Sequence, residues 1–489
     1  MKDICLFFSD QHSYLQQGYA GDKIVRTPNL DALVRDGVSF DNNYTPYALC
    51  VPARMAMMSG QLASKCGVMD NFASLDSNRA TFAHSLNSVG YETVLCGRMH
   101  FVGHDQRHGF SKRIAGDITP LYTNRPTEAF KRERGVHLNT PTGGANAVSI
   151  IGAGNSPTLE FDRYVVEHAV DYLKDSYEKP QFLCVGTYAP HHPYVAPKEL
   201  YDYYYEKVSN DEDSINFPVP EFYKGIFSDK DPEVVRAVRA AYYAMVEFTD
   251  REVGIVYNAF KEYLKRTGHE GVFIYASDHG DQIGNRGMYG KQTFFEESSH
   301  TPLVFIGDGI VKGKRFNGAT SLLDLGPTLC EIVGAQCADE CDGVSLGSQL
   351  QGGDDDLERM VISELGGSLG LNSEEVPYAQ MVKKGKLKFE RFSSSDEDAV
   401  YDIEKDPHEE NNIIKQEAEF AQSARKFLDE KCAPYEMIKS NAIKLRKNLN
   451  ITFKCSFDSE ERWHAPDCAR HYPEKMVSSK IKPKPMMWK

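Results

Sequence analysis

Cys50, Pro52 and Arg54 stand at alternate positions of one short segment, Cys50-Val51-Pro52-Ala53-Arg54. It runs on through Met55-Ala56-Met57-Met58 to a small-residue turn at Ser59-Gly60. Pro52 suits the first position of a helix, where a missing N–H costs nothing. Arg54 would then lie in a first turn whose free N–H groups and dipole already favour an anion. A nucleophile just before such a helix, with a guanidinium beside it, suits attack on a sulfuryl or phosphoryl group. The plain alternative for Cys50 is an ordinary buried thiol, and a five-residue segment alone does not exclude it.

Four other groups of ligand-type residues each follow an apolar run. Ile4–Phe8 leads into Ser9-Asp10-Gln11-His12, and Thr93–Cys96 into Gly97-Arg98-Met99-His100. Phe182–Val185 leads toward Tyr188-Ala189-Pro190-His191-His192-Pro193, and Val272–Ala276 into Ser277-Asp278-His279-Gly280-Asp281. Near-continuous apolar runs fit strands covered on both faces, and sites in open α/β sheets form outside the carboxyl ends of such strands. For a single Asp, a cap or ion pair is the better reading. Two carboxylates, an amide oxygen and an imidazole from Asp10, Gln11, Asp278 and His279 together point to a divalent-metal site.

The elements that must position these groups alternate between strand and helix, which predicts an α/β fold with a large, mostly parallel sheet. Helices are expected over 30–36, with Asn29 as cap and Gly37 as stop, and over 161–177 and 232–265. The stretch from Ser111 to Pro157 is rich in Gly, Pro, Thr and Asn and reads as a long functional loop. Beyond about Leu365, short strands over 378–382, 386–392 and 399–403 and a charged helix over 414–431 suggest a small α+β domain. The expected division is 1–365 for the catalytic domain, 366–454 for the C-terminal subdomain and 455–489 for a polar tail. That tail leaves a homo-oligomer open.

The chain has 489 residues, 41% hydrophobic and 26% charged, as a globular protein does. Its formal net charge of −14 argues against nucleic acid as a partner, and an anionic substrate then needs a local positive cluster. No apolar run reaches membrane-spanning length, and Met1-Lys2-Asp3-Ile4-Cys5 does not read as a secretory leader. The 11 cysteines form no regular framework, and Cys337/Cys341 and Cys455/Cys468 lack paired zinc spacings. A reducing cytoplasm is the simplest expectation.

The Cys50–Arg54 segment resembles the signature of the type I sulfatases, members of the alkaline-phosphatase-like superfamily. Further blocks resemble the same family. They are Gly97-Arg98-Met99-His100, Pro190-His191-His192-Pro193, Gly290-Lys291 with Glu296, and Val400-Tyr401-Asp402-Ile403 with Asp406-Pro407. The run His104-Asp105-Gln106-Arg107-His108-Gly109-Phe110 is similar to choline sulfatases, and Gln11 and His279 to branches that include phosphonate monoester hydrolases. The resemblance implies an α/β/α sandwich plus the small C-terminal domain. It implies that a maturase converts Cys50 to formylglycine, whose hydrated form is the nucleophile. The metal, usually calcium, would be held by Asp10, Gln11, residue 50, Asp278 and His279. Manganese and magnesium stay open because His279 offers nitrogen.

On the same resemblance, Arg54, Arg98, His191 and Lys291 bind the sulfate, His191 with Lys291 protonates the leaving alcohol, and His100 is the base. The family's Lys is Arg98 here, which keeps the charge and cannot act as a proton donor. A cytoplasmic enzyme of this kind suggests a small sulfated carbohydrate as substrate, with Arg125, Lys131 and Arg132 as candidates to read it. The rival readings are a choline-sulfatase-like enzyme, an arylsulfatase or phosphonate monoester hydrolase, and a non-catalytic binding protein on the same fold.

Overall fold

A computed structural model describes residues 2–103, 105–118, 147–148, 150–209, 212–224, 226, 228–366, 376–393 and 397–452. The candidate sugar-reading residues Arg125, Lys131 and Arg132 and the tail from 455 lie outside them. Eight strands form the large sheet: β1 (Lys2–Asp10), β2 (Val38–Phe40), β3 (Glu92–Gly97), β4 (Lys112–Ala115), β5 (Gln181–Pro190), β6 (Glu270–Ser277), β7 (Leu303–Gly307) and β8 (Lys314–Phe316). Their spatial order is β8-β2-β7-β6-β1-β5-β3-β4. β1 is central and parallel to both β5 and β6, β3 is parallel to β5, and β7 alone runs antiparallel to its neighbours β6 and β2.

Alternation along the strands explains the apolar runs. Ile4, Leu6 and Phe8 enter one core with Ile274 and Phe182. Cys5 and Phe7 enter the opposite core with Phe273, Leu183 and Val185. Both faces are covered, so no polar alternation survives. The second core is closed by α3 (Pro157–Tyr172) and α4 (Pro232–Thr267), through Phe161, Val165, Val253 and Phe260.

Two helix starts differ from the sequence reading. In α1 (Pro28–Asp36) the cap position is Thr27 and Pro28 is the first helical residue. Asn29, expected as the cap, is the next residue, and its amide donates to Asp250 at 2.8 Å. Pro28 wins because its fixed φ is set for the first turn. In α2 (Cys50–Ser59) Cys50 itself opens the helix and Pro52 is the third residue, still within the turn that has no N–H partners to lose. Residue 50 therefore sits on the helix rather than before it.

The small domain is an antiparallel meander of β9 (Met360–Gly366), β10 (Tyr378–Lys384), β11 (Leu387–Phe392) and β12 (Ala399–Asp402). Its first strand begins upstream of residue 365. Helix α5 (Ala418–Lys431) packs Phe420, Ala424 and Leu428 on this sheet, in one core with Ala56 of α2. A further helix, α6 (Tyr435–Thr452), was not foreseen from the sequence.

Close backbone approach brings the third strand end into the site. Gly97, at φ 93°, and Gly186 lie where β3 and β5 meet, and any Cβ on Gly186 would overlap the backbone carbonyl of Arg98. Gly186→Ala is expected to cost about 1–3 kcal/mol of stability, as overpacked sites do. It should also lower activity by moving Arg98. Thermal melting and turnover measured together check this, and an unchanged melting temperature would show that the strands separate freely.

Candidate active site

Four strand ends and the start of α2 converge at one point. Asp10, Cys50, Asp278 and His279 present ligand atoms that all lie within 4.8 Å of one another, and all four are buried. The Cys50 thiol is 3.2 Å from Nε2 of His279 and 3.9 Å from Oδ1 of Asp10. Burial, and next the Asp10 charge, push that thiol up to about 11, so it stays protonated at neutral pH.

Two like charges this close need compensation, and Arg54 supplies it. Its Nε donates to Asp278 at 2.8 Å and its NH2 group to Asp10 at 2.9 Å, with all three side chains fully buried. Arg98 donates to the same Asp10 oxygen at 2.6 Å. Burial alone would raise the Asp10 carboxyl, but the Arg98 and Arg54 guanidiniums outweigh it and hold it well below the usual carboxylate range.

The donor set fits a divalent cation. His279 Nδ1 lies 3.1 Å from the Gly280 carbonyl. That assigns the proton to Nδ1 and turns the Nε2 lone pair toward Cys50 and the carboxylates, the orientation metal-binding imidazoles adopt. Burial lowers the His279 pKa and keeps the ring neutral, as ligation requires. Gln11, the fifth expected ligand, has φ 68° and a differently placed side chain. Its Nε2 donates to Asp281 at 2.5 Å and its Oε1 accepts from Lys291 at 2.5 Å.

Opposite this cluster stands a proton-handling pair. Lys291 Nζ is 2.6 Å from His191 Nε2, and His191 Nδ1 is 2.6 Å from the His192 carbonyl. These partners assign a neutral ring with its proton on Nδ1 and Nε2 accepting from Lys291. Burial, then His192 and Lys291, hold the His191 pKa well below its ordinary value. Lys291 is only half-buried, whereas His191 is fully enclosed.

His100 adopts φ 60°, and its Nδ1 accepts from Arg98 NH2 at 2.8 Å. Burial and the Arg98 charge lower its pKa far below that of free histidine. Such left-handed conformations at Gln11 and His100, held by surrounding bonds, are typical of functional positions. Arg98 also lies over the Tyr188 ring, 4.6 Å from its centroid. The hydrogen bonds recorded for Arg54 and Arg98 go to protein acceptors, so both build the anionic side of the site as well as facing it.

Asp10, Gln11, Cys50, Arg54, Arg98, His100, His191, Asp278, His279 and Lys291 all lie at this point, whereas Arg125, Lys131 and Arg132 fall outside the described residues. Two positioning carboxylates were not nominated. Asp117, just after edge strand β4, accepts from the His100 backbone N–H at 2.7 Å and reaches Arg98 at 3.4 Å. Asp281 accepts from Gln11, Tyr194 and the Gly290 N–H, so it fixes the approach to Lys291. Asp281 carried a readable signal as the third residue after Asp278 in the same strand-end group, whereas Asp117 carried none.

The chain matches the family described as Sulfatase over residues 2–335 and that described as N-sulphoglucosamine sulphohydrolase, C-terminal, over 284–433. It is 33% identical over 418 residues to a choline-sulfatase of Rhizobium meliloti (strain 1021), spanning 80% of this chain and 78% of that protein. It is 27% identical over 454 residues to an arylsulfatase of Clostridium perfringens (strain 13 / Type A), spanning 85% and 90%. Among solved structures, the phosphonate monoester hydrolase of Agrobacterium radiobacter superposes with a TM-score of 0.68 at 22% identity, covering 92% of this chain and 96% of that one. At that identity the likeness speaks for the fold.

Proposed function

The chain belongs to the sulfatase family and is a sulfuric ester hydrolase, and from that premise we propose that it cleaves the sulfate monoester of a small sulfated mono- or disaccharide, with residue 50 as nucleophile. The observation that carries the nucleophile is the gathering of Asp10, Cys50, Asp278 and His279 within 4.8 Å, facing the Lys291–His191 pair. Formylglycine at position 50, made from Cys50 by a maturase, would supply two hydroxyls on one carbon, one to attack sulfur and one to expel sulfate. A divalent cation held by Asp10, Asp278, His279 and residue 50, most simply calcium, would supply Lewis-acid polarisation of the ester oxygens.

The chain's own groups do the rest. Arg54 and Arg98 keep Asp10 ionised and place positive charge behind the sulfuryl oxygens. Lys291 carries the proton for the leaving alcohol and passes it directly or across His191 Nε2, because the His191 Nδ1 proton is engaged with the His192 carbonyl. His100 takes up a proton at Nδ1, the lone pair that Arg98 occupies in this state. Burial of the whole cluster excludes competing water.

Choline sulfate is the second reading, favoured by the 33% identity to a choline-sulfatase. An aryl sulfate or a phosphonate monoester would use the same groups. Among the described residues no helix is long and apolar enough to cross a membrane. The cytoplasmic placement we propose rests on the nine free thiols of the described residues. A maturase and a small-molecule ester are the expected partners, and a homo-oligomer remains compatible.

Sulfate release from glycosaminoglycan-derived sulfated sugars, choline sulfate and an aryl sulfate, alongside hydrolysis of a phosphonate monoester, tests the substrate. We expect kcat/KM highest for a sulfated sugar by at least about tenfold, the scale on which a few lost contacts discriminate. An equal margin for choline sulfate would replace the sugar assignment, and turnover of the phosphonate alone would replace sulfate.

A further inference from the structure

Beneath the catalytic centre lies a buried acid that the proposed chemistry does not use. Asp162, on α3, is fully buried, and its two carboxylate oxygens accept one backbone N–H each, from Tyr188 at 2.6 Å and from Ala189 at 2.7 Å. Those two residues lie at the end of β5, next to Pro190 and His191. What they hold is the machinery itself. The Tyr188 ring lies under Arg98 and packs edge-on against His191, with centroids 4.7 Å apart, and the Tyr188 carbonyl accepts from the His191 N–H at 3.1 Å.

We propose that Asp162 is a positioning residue for this hydrolase: its carboxylate clamps the Tyr188–Ala189 backbone and thereby sets His191 against Lys291 and Tyr188 beneath Arg98. The inference rests on the sulfatase reading of the site and deepens it. Hydrogen bonds satisfy the clamp, and a second buried acid lies close to it. Glu252 of α4 faces it from behind, 3% exposed, with neither carboxylate oxygen hydrogen-bonded. Arg98 at the β3 end favours the ionised clamp, Asp10 at the β1 end opposes it, and Arg163 on α3 lies near Glu252. Burial pushes the Asp162 carboxyl up to about 7 against the two N–H bonds, and burial, then Asp162 itself, raises Glu252 well above the ordinary carboxylate range. The two acids titrate as a pair, each disfavouring charge on the other.

The direction with pH follows. Below about 7 the clamp protonates and its hold on the two N–H groups weakens, so kcat falls as pH drops through that value. Asp162→Asn keeps shape and volume, offers one oxygen where two accepted, and does not titrate.

The test compares the unaltered enzyme, Asp162→Asn and Glu252→Gln on whichever ester the enzyme turns over. Asp162→Asn should lower kcat by about 10- to 100-fold with KM changed less than about threefold, the pattern for a group that acts on transition-state geometry. Its kcat–pH profile should lose the acid limb near neutrality, with the melting temperature held to within a few degrees. Glu252→Gln, which leaves the Asp162 bonds to the Tyr188 and Ala189 N–H groups in place, should keep both kcat and that limb. Wild-type kcat in Asp162→Asn, or a limb displaced equally by Glu252→Gln, overturns the inference. Should Asp162→Asn not fold, the unaltered enzyme decides, because a kcat profile without a group titrating between about pH 6 and 8 overturns it equally. If the unaltered enzyme hydrolyses no ester at all, it is the functional reading that fails.

Discussion

Cys50→Ala protein is expected to hydrolyse its sulfate ester at least about 10³-fold more slowly than the matured enzyme, with its fold intact, because loss of a nucleophile removes the covalent route altogether. The side chain sits at the first position of α2, buried, 3.2 Å from His279 and 3.9 Å from Asp10. Alanine removes only a small thiol from a polar cluster, and the melting temperature should stay within a few degrees. The informative companion is the unaltered sequence made in a host that lacks the maturase. A thiol pushed up to about 11 in a carboxylate-rich pocket is a poor nucleophile, so this protein should be nearly as slow as Cys50→Ala. Activity should then rise in proportion to the fraction of peptide in which mass spectrometry finds sulfur replaced by an aldehyde oxygen. Cys50→Ser should resemble the unmatured protein, since it carries one oxygen where the proposed route needs two. Full activity in Cys50→Ser, or in protein whose residue 50 is wholly thiol, would sink the formylglycine assignment.

The groups gathered at the site were legible in the sequence because they end strands whose cores are unmistakable. Ile4–Phe8, Thr93–Cys96, Phe182–Val185 and Val272–Ala276 all lie inside strands of the large sheet. A two-sided core demands such runs, and polar residues at their carboxyl ends have no packing reason to be there. What escaped was held by relations that a linear reading cannot see. Asp117 follows the edge strand β4, and only the sheet order puts it under the His100 N–H. Asp162 looks like one more acid on an amphipathic helix, and only tertiary packing points it at the β5 end. Likewise, nothing local marks α6, whose mixed-charge sequence continues beyond the α5 helix that was foreseen. Gln11 was read as a ligand together with Asp10, Asp278 and His279, and its amide here bonds Asp281 and Lys291, a link that no linear reading shows. The residues gathered at the strand ends were therefore readable, while the carboxylates that orient them were mostly not.

Lys388→Met is expected to cost about 3–5 kcal/mol of stability, the range for stripping one partner from a buried ion cluster. Lys388 rises from β11 of the small domain, fully buried, and its Nζ reaches Glu296 at 3.0 Å, the Phe294 carbonyl at 2.7 Å, and Glu409. Glu296 lies five positions beyond Lys291 in the catalytic domain and also accepts from Tyr44 at 2.8 Å and pairs with His300 at 2.9 Å. One ammonium thus fastens the small sheet to the segment that carries Lys291. Burial would raise the Glu296 carboxyl, yet Lys388 and then His300 hold it far below the usual range. Glu409, by contrast, is pushed up to about 8, chiefly by burial, with Lys388 opposing. The pH dependence has a definite sign. A carboxyl with a depressed folded pKa contributes stability above its unfolded value, near 4.5, and loses it as pH falls. Without Lys388 the same carboxyl is raised, so its cost appears above about 4.5 and is relieved by protonation below. The gap between the two proteins should therefore be widest near pH 8 and narrow toward pH 5, as denaturant unfolding at both values would show. Adding Glu296→Gln to Lys388→Met should recover a large part of the loss, because the uncompensated charge, rather than the missing contact, carries most of it. A gap that is small, or that stays constant from pH 5 to pH 8, would mean that water reaches the cluster and that the apolar contacts of the small sheet hold the two domains together.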